Sequence, residues 1–108
     1  MTKSKIHPDQ KYIDGIAAND SAIIHAIYKN YVPKVVFYIT KNSGDKDQAQ
    51  DVVQEIMILL FNQAKANTLQ LTCPFDAYFF LICKRKWLNE LKKTSNKEVT
   101  INEDSASI

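Results

Sequence analysis

Apolar residues recur at helical spacing through most of the chain, broken by short polar stretches rich in cap-forming residues. Pro8 and Asp9 open a first helix to about Ala18, with Tyr12, Ile13 and Ile16 as its stripe. Asn19 interrupts the pattern, and Asp20 is placed to cap a second helix carrying Ile23, Ile24, Ile27, Tyr28 and Tyr31. Pro33 suits the first turn of a helix that continues or restarts there, with Val36, Phe37 and Ile39 as apolar positions. Ser43-Gly44 provides a stop, and Asp45 with Gln48 three residues on forms a capping box for a helix from Lys46 to Ala66. Residues 67–73, NTLQLTC, have no helical patterning and read as a loop. Thr72 or Cys73 then caps a last helix, opened by Pro74 and running to about Thr94. No stretch reads convincingly as a strand. The expected fold is all-α, a compact bundle of four to five helices, with a flexible N-terminus over 1–8 and a linker or disordered tail over 95–108.

The helix after Gly44 contains DVVQEIMILLF, in which Asp51, Gln54 and Glu55 interrupt an apolar run. Helical periodicity gathers Ala49, Val52, Val53, Ile56, Leu59, Leu60 and Gln63 into a stripe that should face the core. Asp51, Gln54, Glu55, Ile58 and Asn62 form the opposite edge. Two readings fit that edge. It is the ordinary polar face of an amphipathic helix, or it is a docking face on which Ile58, with Met57, anchors a partner beside hydrogen-bonding groups.

The last helix changes character halfway. CPFDAYFFLIC is apolar nearly all round, whereas KRKWLNELKK is one-sided. Arg85, Lys86, Asn89, Lys92 and Lys93 share one half of the wheel; Trp87, Leu88 and Leu91 take the other, and Lys84 falls among them. Cations neutralise phosphates, Asn can bond a base edge, and aromatic rings stack on unpaired bases, so the stripe suits DNA. A lysine-rich solvent face over a core tryptophan fits the same residues.

Composition narrows the classes. One domain of 108 residues, with two glycines and three prolines, favours a few long helices over a many-turned β fold. The net charge of +2 is uninformative, but Lys84–Lys97 holds six basic residues against the single acid Glu90. Cys73 and Cys83 lie ten apart without a CxxC motif, and the N-terminus has no apolar core for a secretory leader. Reduced thiols in a cytoplasmic protein are therefore expected. No run approaches the ~20 apolar residues of a membrane span. A zinc site from His7, His25, Cys73 and Cys83 matches no ligand spacing, and nothing supplies a nucleophile–base pair or a phosphate loop. No metal, cofactor or catalytic activity is expected.

The order of NDSAIIHAIYKNYVPKV, GDKDQAQDVVQEIMILLF and PFDAYFFLICKRKWLNELKK resembles the second conserved region of sigma factors of the extracytoplasmic-function type, over Asp9–Lys93. The expected helical domain accordingly spans 9–94. The resemblance implies a module that docks on the β′ clamp helices of core RNA polymerase and recognises and melts the promoter minus-ten element. It implies polymerase contacts at Asp51, Gln54, Glu55 and Ile58, and base capture by the loop before PFDAY. With the basic, aromatic stretch that follows, the expected DNA-binding residues are Asn67, Thr68, Gln70, Thr72, Tyr78, Lys84, Arg85, Trp87, Asn89, Lys92 and Lys93. The expected partners are core polymerase and single-stranded non-template promoter DNA, and the family admits an anti-sigma factor.

Departures from the family pattern bear on base preference. Arg85 stands where many members have Asn, Trp87 where a small residue is common, and the loop lacks the usual glycine and acidic residues. The family's C-terminal helix-turn-helix domain is not in this chain, which reads as an excised domain or a naturally short protein. The competing classes are a helical protein–protein adaptor and a small helix-turn-helix repressor.

Overall fold

Five helices form where cap and periodicity coincide, and the computed structural model describes residues 6–103, with side chains as far as residue 93. They are α1 (Gln10–Ala17), α2 (Ser21–Asn30), α3 (Val32–Thr40), α4 (Lys46–Lys65) and α5 (Phe75–Glu103). No strand occurs among the described residues. The fold is an all-α bundle of the expected class.

Local chemistry accounts for most boundaries. The Asp20 carboxylate accepts from the backbone N–H groups of Ala22 and Ile23 at 3.0 and 3.4 Å. Asp45 and Gln48 make both halves of the capping box, at 2.8 and 3.0 Å. At Pro33 the chain restarts instead of continuing: Tyr31 ends α2 and begins α3, and proline, which lacks an N–H, occupies the first turn. Asn19 and Asn67 adopt left-handed φ values of 56° and 60° and close α1 and α4. Each places two successive N–H groups on the last free carbonyls, as when Asn67 and Thr68 donate to Ala64 and Gln63 at 3.0 Å.

Two ends of α5 differ from expectation. Neither Thr72 nor Cys73 caps it; the Phe75 N–H donates to the Asp9 carboxylate at 2.9 Å. That leaves Asp9 making no side-chain cap on α1, which follows it directly. At the other end α5 runs through 95–103, expected as linker or tail, because no Gly or Pro follows Pro74. Residues 1–5 and 104–108 of the expected termini lie outside the described residues. His7, within the expected flexible N-terminus, donates its backbone N–H to Leu71 at 2.7 Å.

The core lies around α4, which packs against α1, α3 and α5. Its Ala49, Val52, Val53, Ile56 and Leu60 are buried against Ile13 and Ile16 of α1, Ile27 of α2, Val35 and Ile39 of α3, and Phe75, Phe79 and Cys83 of α5. Each such side chain of valine size or larger contributes about 1.5–3 kcal/mol relative to exposure. Leu59, expected inward, is 43% exposed, because it sits about 75° from the centre of the buried stripe at ~100° per residue. Gln63 is half-buried.

Trp87 is a core residue. It is 4% exposed, and its indole N–H donates to the Asn42 carbonyl at 2.8 Å. The turn that receives it is shaped to do so. Ser43, not Gly44, takes the left-handed conformation there, with φ of 76°. Gly44 is needed for space: a Cβ on it would lie 2.4 Å from Ile39 Cγ2 and 2.8 Å from Trp87 Cζ2. Gly44→Ala is therefore expected to cost about 1–3 kcal/mol through overpacking. Urea unfolding followed by Trp87 fluorescence measures this, and a midpoint equal to wild type would mean that the indole is loosely seated.

Candidate functional site

The outer edge of α4 is solvent-facing as the periodicity requires. Asp51, Gln54 and Glu55 are exposed, and Ile58 is 54% exposed. The edge is a ridge between two unlike grooves. Asp51 and Glu55 line a groove of about 330 Å³ shared with Lys86, Trp87 and Glu90 of α5. Gln54 and Ile58 line a more apolar groove of about 290 Å³, shared with Ile16, Ile24, Tyr28 and Phe61. The four residues thus divide into a charged pair and a pair beside apolar surface.

Lys86 ties the charged side of this ridge to α5. Its ammonium lies 2.8 Å from Glu55 Oε1 and 3.1 Å from Glu90 Oε2. Hydrogen bonding to Glu55, then to Glu90, raises the Lys86 pKa, and the bond from Lys86 holds Glu90 below the usual carboxylate value. The Glu55 partner is 59% exposed, so solvent screens the pair and its stabilisation is small. Its effect is orientational: it presents a ridge carboxylate already partnered by the neighbouring helix.

The loop before α5 is held from outside its own sequence. The Gln10 side chain spans it, with Nε2 donating to the Leu69 carbonyl at 3.1 Å and Oε1 accepting from the Leu71 N–H at 2.6 Å. Leu71 is buried and Leu69 half-buried, while Gln70 and Thr72 are exposed. Asn67 and Thr68 are also exposed, and the Thr68 hydroxyl donates to the Gln63 carbonyl at 3.1 Å. The expected loop residues are therefore displayed on a braced backbone. No periodicity signals Gln10, because its partners lie 59 and 61 residues away.

On α5, Arg85, Asn89, Lys92 and Lys93 are exposed, with Tyr78 half-buried. Burial, then the neighbouring Cys73, raises the Tyr78 pKa. Lys84, the misfit of the helical wheel, sits half-buried with its ammonium 5.8 Å from the centre of the Tyr38 ring. Lys93 approaches Glu90 at 3.9 Å. Trp87 is withdrawn from the expected DNA-binding set, because a buried ring with a bonded N–H has no face for a base. Leu81, missed by the sequence reading, and Leu88, expected on the half of the wheel with Trp87, are 41% and 44% exposed on the outward side of α5. The spacing 78, 81, 85, 88, 92 contains that signal.

Among the described residues no three His, Cys, Asp or Glu side chains gather as ligands. Burial pushes the Cys83 thiol up to about 12, leaving it protonated at neutral pH. No described helix is long and apolar enough to cross a membrane.

Residues 27–97 match the family model described as Sigma-70 region 2, a span from the middle of α2 into α5. No curated protein and no solved structure matches the chain. The matched span includes the α4 ridge, the loop and the basic face of α5, whereas Asp9 and Gln10 precede it.

Gln10→Ala removes both side-chain bonds to the loop and leaves the Leu71 N–H, in a buried setting, without its acceptor. Faster hydrogen exchange at Leu71 is expected, with a stability loss of about 1–3 kcal/mol. Unchanged protection of that amide would show that the loop keeps its shape without the brace.

Proposed function

We propose, because the chain belongs to the Sigma-70 region 2 family, that the α4 ridge docks on the β′ clamp helices of core RNA polymerase. In the same complex the 67–73 loop and outward face of α5 hold the non-template strand of the promoter minus-ten element. A domain of this family serves transcription initiation through polymerase and DNA, and it is a binding module without catalysis. The family match favours this reading over a general adaptor or a helix-turn-helix repressor.

The observation that carries the docking reading is the exposed row Asp51, Gln54, Glu55 and Ile58 between its two grooves. A clamp helix laid along the ridge meets charge on one side and apolar surface on the other, which fixes its orientation as well as its affinity. On the DNA side, opening a duplex loses stacking of about 1.4 kcal/mol per step. Stacking a freed base on an aromatic ring returns about 1–3 kcal/mol. Tyr78 is the ring available among the expected DNA contacts now that Trp87 is assigned to the core. Arg85, Lys92 and Lys93 supply cations for phosphates, and Gln70 and Asn89 supply amides for base edges.

Glu55→Ala and Gln54→Ala should each lower recovery of core polymerase in a pull-down while leaving the helical circular-dichroism signal intact. Lys86→Ala separates loss of the carboxylate from loss of its ion pair. Wild-type recovery by both α4 variants would end the docking assignment. For DNA, single-stranded non-template oligonucleotide should bind more tightly than its duplex, and Arg85→Ala or Lys92→Ala should weaken that binding. An equal or greater preference for duplex would overturn the strand-holding role.

A further inference from the structure

The most exposed large apolar side chain on the described surface belongs to neither face discussed so far. Phe37 of α3 is 63% exposed, and the ammonium of Lys41 lies 5.5 Å from the centre of its ring. Lys34, Phe37 and Lys41 follow at i, i+3 and i+7, which places them on one side of the helix. Val35 and Ile39 of the same helix are buried, so this side faces outward.

Its chemistry is uniform. Ser21–Gly44, covering α2, α3 and the turn after them, contains three lysines and no acidic residue. Lys34, Lys41 and Lys84 form no ion pair with a carboxylate among the described residues. Aromatic rings lie beside all three cations, Lys41 against Phe37 as above. Lys34 lies 4.9 Å from the centre of Phe80, and Lys84 lies 5.8 Å from the centre of Tyr38. Tyr38 and Phe80 meet edge-to-face at 5.4 Å across the α3–α5 seam. The outward face of α5 therefore continues onto α3 through a seam bearing positive charge and aromatic rings.

We propose that this α3 face is a second nucleic-acid contact, on which a single DNA strand leaving α5 stacks one base against Phe37 and sets its phosphates against Lys34, Lys41 and Lys84. Charge complementarity selects the occupant. A polyanion with flat, exposed π-faces satisfies both the ammonium groups that lack a carboxylate and the exposed phenyl ring, whereas an apolar partner would leave three cations without counter-charge. The spacing suits a strand. Lys34 and Lys41 are about 10 Å apart along the helix axis, a span that successive phosphates of one strand can bridge. Phe37 lies between them.

The inference rests on the strand-holding role proposed above, and the test separates the two. Binding of the full chain to a fluorescein-labelled single-stranded oligonucleotide is followed by anisotropy over a salt series. Phe37→Ala should weaken binding about five-fold or more, while Phe37→Tyr, which keeps the ring, should bind as wild type. Lys34→Gln and Lys41→Gln should each flatten the salt dependence by about 0.7 in log–log slope. Unchanged melting of these surface variants checks that they fold. If Arg85→Ala weakens binding but the α3 variants do not, the strand stays on α5 and the α3 contact is refuted while the earlier role stands. If Phe37→Ala spares oligonucleotide binding and lowers polymerase recovery instead, the face docks protein and this proposal fails. If the wild-type chain binds no single strand, both fail together.

Discussion

The indole N–H of Trp87 donates to the carbonyl of Asn42 inside the turn between α3 and α4, and the orientation of α5 follows from that seat. Residues two positions away on a helix lie about 200° around its axis. Turning Trp87 inward therefore turns Arg85 and Asn89 outward, whatever their own preferences. The Phe75, Phe79 and Cys83 side chains, each about 40° from the next around the axis, are buried in preceding turns, so half of α5 is fixed by packing before any charge is considered. The basic face is the remainder of a core decision.

The same constraint bears on α4. Packed against three helices, it has a single free side, and the sequence places its polar residues there. What looks in the linear sequence like an interruption of an apolar run is the boundary between two surfaces. Lys86 spans from α5 to that boundary, so a partner engaging Glu55 also meets a cation belonging to the helix with the basic face. The α4 ridge and the basic face of α5 are thus separated by one ion pair rather than by a domain.

Elements governed by neighbours in sequence were legible. The capping box at Asp45, the cap at Asp20 and the buried stripe of α4 each depend on residues within a few turns, and periodicity or cap chemistry identifies them. Features governed by distant partners were not. Asp9 reads as the opening of α1, yet its carboxylate serves Phe75, sixty-six residues away. Gly44 reads as a helix stop, while its necessity comes from Ile39 and the indole packed against it. Trp87 among five cations suited a base platform as well as a core, and burial alone decided between them. The α4 edge was found whole, but its division between two grooves required the positions of α1, α2 and α5.

The amide of Gln10 and the carboxylate of Asp9 emerge from the ribosome well before the segment they hold. α1, α2, α3 and α4 are complete in sequence while those two groups still lack partners, and only synthesis through Phe75 supplies them. Contacts of such long sequence separation form late and slowly. The displayed loop thus depends on residues made at the beginning of the chain. An N-terminal extension or trimming near Asp9 would reach this surface without touching any residue that matches the family.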